Sequence, residues 1–164
     1  MGTRSGRRGD GPGATHAKGE LSQQSHPKEG SVIIVETSVW VDVFCGTVND
    51  YTEWMNRNLT DPRLSLTDLT LCEVLQGLTS DATHAIACEE LLKFRVHATG
   101  GAELALAAAE NYRLLHKRGI TVRKTIDCLI ATYCVREGHS LLHRDRDFDG
   151  FEKHLGLKVV HPGE

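Results

Sequence analysis

Long apolar runs, aromatic side chains and paired cysteines are all scarce in this 164-residue chain. No window approaches the roughly 18 uninterrupted apolar residues of a membrane-spanning helix, and the N-terminus lacks the apolar core of a secretory signal. The sequence therefore predicts a cytoplasmic protein with no membrane partner. Its 40% hydrophobic and 5% aromatic residues are typical of a soluble domain with an aliphatic core.

The cysteines argue against disulfides and zinc. There are five of them, an odd number, and no two have CxxC spacing. The nine histidines are scattered without the spacing of zinc ligands. Most of the cysteines fall in apolar helical patterns, and we interpret them as reduced thiols in the core.

Charge differs between the N-terminal segment and the rest of the chain. Residues 1–31 carry five basic and three acidic side chains and seven of the sixteen glycines, whereas the remainder carries 14 basic and 19 acidic side chains. The first segment has too few apolar residues to offset the entropy of folding. We interpret residues 1–31 as a disordered arm or an added leader, and residues 32–164 as one domain. Its acidic balance argues against broad, non-specific nucleic-acid binding.

Short apolar strands alternate with helices along residues 32–164. The β-branched run from Val32 to Val35 is typical of a strand buried on both faces, and Thr37 or Ser38 is a candidate N-cap for the helix that follows. This alternation predicts an α/β fold with a mostly parallel central sheet flanked by helices. The predicted strands are 32–35, 64–66, 96–98, 140–143 and 157–160, and the predicted helices are 39–44, 50–59, 68–78, 81–92, 102–118, 125–137 and 151–155. Thr125 is the candidate N-cap of the sixth helix, and residues 145–150 are the last predicted loop.

Acidic side chains lie at or near the ends of several buried segments. Glu36 ends the first strand, Glu73 lies in the third helix, Asp127 lies in the first turn of the sixth helix, and Asp145 and Asp147 follow the fourth strand. A carboxylate beside core residues is costly unless it is paired, hydrogen-bonded or bound to a cation. Because ligands gather beyond the carboxyl ends of parallel strands, these acids would form a metal site if they converge.

Each acid also has a structural explanation. Asp127 would interact favourably with the dipole of any helix, and Glu73 would be solvated on its helix. Asp145 and Asp147 would be turn residues paired with the neighbouring arginines. An acid at the end of a buried strand rarely has a packing purpose, so Glu36 is the hardest to explain structurally.

Taken in order, four segments resemble PIN-domain nucleases, and specifically the VapC toxins of VapBC toxin–antitoxin pairs. They lie within residues 32–157, and they are Ile34–Trp40, Leu71–Gly77, Thr125–Ala131 and Leu141–Phe148. The resemblance implies a three-layer α/β fold, Mg²⁺- or Mn²⁺-dependent endonucleolytic cleavage of RNA, and inhibition by a cognate VapB antitoxin. It also implies a homodimer or a toxin–antitoxin hetero-oligomer.

The resemblance also implies a role for each candidate site residue. The catalytic candidates are Glu36, Glu73, Asp127 and Asp145. The metal-binding candidates are Glu36, Asp127, Asp145 and Asp147. The substrate-binding candidates are Thr37, Ser38, Arg123 and Lys124. Arg123 and Lys124 belong to a basic cluster that also includes Lys117 and Arg118. The cluster would bind the RNA backbone, or it would be a helix C-terminus followed by a solvated loop.

One residue departs from the family pattern, because the family normally has Asp at the position of Glu36. The extra methylene moves the carboxylate by about 1.5 Å, whereas Mg²⁺ requires near-ideal ligand distances of about 2.0–2.1 Å. Glu36 would then ligate through another rotamer, prefer Mn²⁺ or attenuate activity. The alternative is an inactive PIN-fold protein that only binds its antitoxin. A receiver-like Mg²⁺ domain fits less well. Such domains need a pair of acids after the first strand and a lysine at a late strand near the site, whereas here Glu-Thr-Ser ends the first strand and only Lys158 is available late in the chain.

Overall fold

The computed structural model describes residues 30–163 together with Gly2. The predicted arm, residues 1–31, therefore lies outside the described residues except for Gly2, Gly30 and Ser31. Ser31 Oγ donates a hydrogen bond to the carbonyl of Gly138 at 2.9 Å, so the described chain contacts the domain just before the first strand.

One parallel sheet forms the centre of the described fold. Its spatial order is β3-β2-β1-β4-β5, and each neighbouring pair is parallel. The α/β class with a mostly parallel sheet is therefore confirmed. The strands are β1 (Ile33–Val35), β2 (Leu64–Thr67), β3 (Arg95–His97), β4 (Ser140–Leu142) and β5 (Lys158–Val159).

Helices connect the strands and cover the sheet. The last predicted loop, 145–150, contains a 3₁₀ turn over Arg146–Phe148 followed directly by a helix. The α-helices of the described chain are α1 (Thr37–Phe44), α2 (Asp50–Asn58), α3 (Asp68–Gly77), α4 (Asp81–Leu91), α5 (Gly101–His116), α6 (Thr125–Glu137) and α7 (Asp149–Leu155). No helix in this part of the chain is long and apolar enough to cross a membrane.

Two hydrophobic clusters form the core, one on each face of the sheet. Ile34 packs with residues of α5, α6 and α7, whereas Ile33 and Val35 pack with residues of α1, α2 and α3. Successive side chains of a strand point to opposite faces, so β1 is buried on both sides. The result is a three-layer arrangement of helices, sheet and helices.

Three details differ from the predictions. Glu36, not Thr37 or Ser38, is the N-cap of α1, because its longer side chain folds back onto the first turn. Lys124, without a side-chain cap bond, precedes α6 where Thr125 was the predicted cap. The prediction that most cysteines lie in the core is also wrong. All five are free thiols, but only Cys128 and Cys134 are buried.

Candidate metal centre

Glu36 lies at the carboxyl edge of the sheet because β1 ends one residue earlier. Its backbone N–H donates to the carbonyl of Leu142 at 2.9 Å, which continues the pairing of β1 with β4. Its side chain is buried, and Oε2 accepts hydrogen bonds from the backbone N–H of Ser38 at 2.8 Å and from Ser38 Oγ at 2.5 Å. The carboxylate is thus held over the start of α1.

Asp127 lies in the first turn of α6, and its residue is only 1% accessible to solvent. Neither of its carboxylate oxygens has a hydrogen-bond partner among the described residues. Burial raises the pKa of Asp127 to about 7; the charge of Lys124 opposes this rise, and the charges of Glu36, Asp145 and Glu73 add to it. An unbonded, buried carboxylate is costly, so this position calls for a cation or a proton.

Glu73 comes from the middle of α3, and a side-chain contact explains how it reaches the sheet edge. Thr37 Oγ1 donates to Glu73 Oε2 at 2.7 Å, joining the first turn of α1 to α3. The sequence alone did not predict whether Glu73 reaches the carboxyl edge of the sheet, since the position of a residue in a helix does not specify how the helix packs.

Glu36, Glu73 and Asp127 converge. Each offers a ligand atom, and these three atoms lie within 4.8 Å of one another. Burial also raises the pKa of Glu36; the hydrogen bonds from Ser38 oppose this rise, and the charge of Glu73 adds to it. Carboxylate oxygens are the ligands that Mg²⁺ and Mn²⁺ prefer. The donor set and the unbonded oxygens of Asp127 therefore fit a divalent cation.

Asp145 and Asp147 lie beside this group but have a different partner. Asp145 Oδ1 accepts from Arg123 Nη2 at 3.0 Å and from the backbone N–H of Asp147 at 3.1 Å. Asp147 accepts from Arg123 Nε at 2.9 Å and from the backbone N–H of Arg123 at 2.7 Å. Of the predicted metal ligands, Glu36 and Asp127 converge, together with Glu73. Asp145 and Asp147 instead share the guanidinium of Arg123.

The predicted substrate-binding residues divide in the same way. Thr37 and Ser38 hold Glu73 and Glu36, respectively, and Arg123 bonds to acids of its own chain. Lys124 directly precedes α6, close enough for its charge to lower the pKa values of Asp127 and Glu36 against the effect of burial. Of the predicted substrate-binding residues, Lys124 is thus the one whose charge acts on the converging acids.

A supporting network was not foreseen from the sequence. The backbone N–H of Arg144 donates to Ser38 Oγ at 3.2 Å, and its guanidinium bonds to Asp42, which also accepts from Asn49 Nδ2 at 2.8 Å. Arg144 and Asp42 are 102 residues apart, so no local pattern reveals their contact. The one available signal was that Arg144 lies two residues after β4, at the edge where β1 also ends.

Comparisons with known proteins agree with this geometry. A family model described as PIN domain matches residues 33–153. Two relatives, the VapC ribonuclease Mb1587 of Mycobacterium bovis and the ribonuclease VapC11 of Mycobacterium tuberculosis, are each 30% identical to this chain over 142 residues. Each alignment covers 79% of this chain and 98% of the relative.

Solved structures share the fold at lower sequence identity. FitAcB from Neisseria gonorrhoeae matches with a TM-score of 0.64 and 17% identity, over 80% of this chain and 98% of that one. VapBC2 from Rickettsia felis, bound to a DNA fragment from its promoter, matches with a TM-score of 0.63 and 14% identity, over 79% and 97% of the two chains. At these identities the likeness establishes the fold.

Proposed function

Because this chain belongs to the PIN-domain family, we propose that it is an endoribonuclease toxin of the VapC type that uses Mg²⁺ or Mn²⁺. Its ribonuclease relatives match over nearly their whole length, which supports the same reaction class here. In this proposal its partners are an RNA substrate and a VapB-type antitoxin, and it acts in the cytoplasm, where both would be found.

One observation carries the metal part of the proposal. Ligand atoms of three acids lie within 4.8 Å of one another, and both oxygens of the buried Asp127 lack a hydrogen-bond partner among the described residues. Three carboxylates this close repel one another unless protons or a cation offset their charge. A divalent cation would satisfy all three without any change of fold.

The residues around the acids have separable tasks. Thr37 orients the carboxylate of Glu73, and Ser38 orients that of Glu36. Lys124 supplies positive charge beside Asp127, where it would attract an RNA phosphate. When bound, a divalent cation supplies Lewis-acid activation of water and stabilises negative charge on the phosphate. Asp145 adds negative charge at the rim, which raises the pKa of Asp127.

A second candidate function rests on Glu36. Its Oε2 accepts two hydrogen bonds from Ser38, so a cation at that oxygen would compete with the cap of α1. If capping prevails, the chain would be an inactive PIN-fold protein that binds an antitoxin without cleaving RNA. Glu36→Asp discriminates between the two, because Asp is also a good N-cap and has the shorter side chain of the family pattern.

The test is RNA cleavage with the full chain in Mg²⁺, in Mn²⁺ and with EDTA. Wild type, Glu36→Asp and Asp127→Asn are compared, the last to exclude a contaminating nuclease. We expect wild type to cleave in at least one metal, EDTA to stop it, and Glu36→Asp to be at least as active. If only Glu36→Asp cleaves, wild type is the inactive binding protein. If neither cleaves in either metal, the nuclease proposal fails.

A further inference from the structure

Asp147 is the one predicted metal ligand whose carboxylate is fully engaged by another residue's side chain and backbone. Its Oδ1 accepts from Arg123 Nε at 2.9 Å, and its Oδ2 accepts from the backbone N–H of Arg123 at 2.7 Å. Its side chain is only 6% exposed. Both oxygens are therefore satisfied inside the protein, in contrast to those of Asp127.

Asp145 differs from Asp147 although the same guanidinium contacts both. Its side chain is 21% exposed, and its ion pair with Arg123 uses the outer nitrogen Nη2 at 3.0 Å. Its Oδ1 also accepts from the backbone N–H of Asp147, which makes Asp145 the cap of the 3₁₀ turn. The bond from Arg123 to Asp145 is the more accessible of the two contacts.

We propose that Arg123 and Asp147 form a structural clasp that positions the segment between α5 and α6, and that Asp147 acts through this clasp and not as a cation ligand. The clasp joins residues 24 positions apart by two bonds, one donated by the side chain of Arg123 and one by its backbone N–H. Arg123 directly precedes Lys124, and Asp127 lies one turn further on. The clasp would thus fix the start of α6 against the 3₁₀ turn after β4.

Packing on both sides of Arg123 supports this role. Val122, the preceding residue, is 4% exposed and lies in the core cluster that also contains Phe148, the residue after Asp147. The Arg123 side chain is 67% exposed, and its guanidinium bonds to both Asp145 and Asp147. A break in the clasp should therefore loosen the position of Lys124 while leaving the core in place.

The first measurement is thermal unfolding of the full chain without metal. We expect Arg123→Ala and Asp147→Asn each to lower the Tm by roughly 5 °C, and the double variant to be no more than about 2 °C below the worse single variant. Arg63→Ala is the matched control, because Arg63 forms a similar pair with Asp61 at an exposed site; its Tm should change by less than about 2 °C. Additive losses at residues 123 and 147 would overturn the clasp.

The second measurement separates the clasp from cation ligation, and it rests on the proposed function. Mn²⁺ is titrated into each variant by calorimetry. Asp147→Asn should keep its Mn²⁺ affinity within about threefold of wild type, whereas Asp127→Asn should lose more than about tenfold. A comparable loss in Asp147→Asn would overturn the inference. If wild type binds no Mn²⁺, the metal proposal fails, while the unfolding data still test the clasp.

RNA cleavage at saturating Mn²⁺, well below either Tm, tests whether the clasp positions Lys124. We expect Arg123→Ala and Asp147→Asn to raise KM by a similar factor, about threefold or more, with little change in kcat. Compared with Arg123→Ala, Arg123→Lys should recover part of the wild-type KM and Tm. It replaces Arg123→Ala in this assay if that variant fails to fold. A raised KM in Arg123→Ala alone would mean that Arg123 contacts RNA directly, which contradicts the clasp.

Discussion

Two groups of carboxylates lie at the same edge of the sheet, and they are treated in opposite ways. Glu36, Glu73 and Asp127 converge without an arginine bound to any of them in the described chain, and both oxygens of Asp127 lack partners. Asp145 and Asp147, a few residues beyond β4, share the guanidinium of Arg123. The first group therefore retains its negative charges, whereas one guanidinium offsets part of the charge of the second group.

The difference distinguishes acids that are available to bind a ligand from acids whose contacts stabilise the fold. A buried charge with a hydrogen-bonded partner is tolerated, whereas one without a partner costs stability until a ligand arrives. A protein that keeps a buried charge without a partner, as at Asp127, loses stability and gains affinity for a ligand, as functional sites often do. Neutralising one acid from each group should therefore change stability with opposite signs.

The largest effect is expected from Asp127→Asn. This change removes a buried, unbonded charge, so the metal-free protein at pH 8 should gain stability, by about 1–3 kcal/mol. The same change should reduce metal-dependent RNA cleavage by roughly 100-fold or more, because the amide is a poor ligand for a hard cation. Thermal unfolding and cleavage assays on one preparation measure both effects.

Asp147→Asn is the matched comparison, since it makes the same Asp-to-Asn change at a carboxylate whose two oxygens both accept hydrogen bonds from Arg123. It should lower the Tm where Asp127→Asn raises it. The comparison between the two groups breaks down if both substitutions shift the Tm in the same direction.

Much of this arrangement could be predicted from the sequence because it depends on local chemistry. The β-branched run at Val32–Val35 predicts a buried parallel strand, and a strand that ends at Val35 must place Glu36 at its carboxyl edge. Likewise, Asp127 follows Thr125 closely enough to lie in the first turn of α6 under any packing. These elements and their order were correct for physical reasons that operate over a few residues.

The partners of the acids could not be predicted in the same way. The bond from Thr37 to Glu73 joins residues 36 positions apart, and the contact of Arg123 with Asp147 spans 24. The family resemblance assigned Arg123 to the substrate and Asp147 to the metal, and the sequence around each residue does not reveal the contact between them. The predicted helix cap was wrong because Glu is an unusual N-cap, and the sequence does not show that Glu36 Oε2 accepts from the backbone N–H of Ser38.

The pH dependence of stability is the next test of the comparison. The pKa of Asp127 is about 7 in the folded chain against an ordinary value of 3.8, so the folded state binds the proton more tightly than the unfolded state. Stability is then full below about pH 4 for this group and falls as the pH rises toward and through 7. Burial raises the pKa of Glu36 too, which acts in the same direction.

We therefore expect the Tm of the metal-free protein to fall by several degrees between pH 5 and pH 8. Asp127→Asn should flatten most of this slope, and saturating Mn²⁺ should offset it at the alkaline end, because the cation binds the ionised form. Asp147→Asn should leave the slope largely unchanged. A wild-type Tm that is constant or rises across this range would contradict the unbalanced charge at Asp127.

The smallest effect concerns the packing beneath the two acids that Arg123 binds. A Cβ added to Gly150, in the first turn of α7, would lie 2.9 Å from Ile120 Cγ2 and 3.4 Å from Leu115 Cδ2. Ile120 belongs to the segment that ends at Arg123, so Gly150→Ala would push on the support of that arginine. The helix gains about 0.5–1 kcal/mol from alanine, but overpacking costs about 1–3 kcal/mol.

We expect Gly150→Ala to lower the Tm by about 2–4 °C, which corresponds to a net loss of about 1 kcal/mol in a domain of this size. Gly77→Ala is the matched control, because Gly77 is also helical and its added Cβ would meet nothing within 4 Å; its Tm should hold or rise slightly. Gly150→Ala should not alter the pH slope set by Asp127, since the two acid groups are held by different contacts. Equal Tm values for the two alanine variants would mean that Ile120 and its neighbours move away from the added Cβ at no cost in stability. The contact with α7 would then not support Arg123, and the clasp alone would hold Asp147 in place.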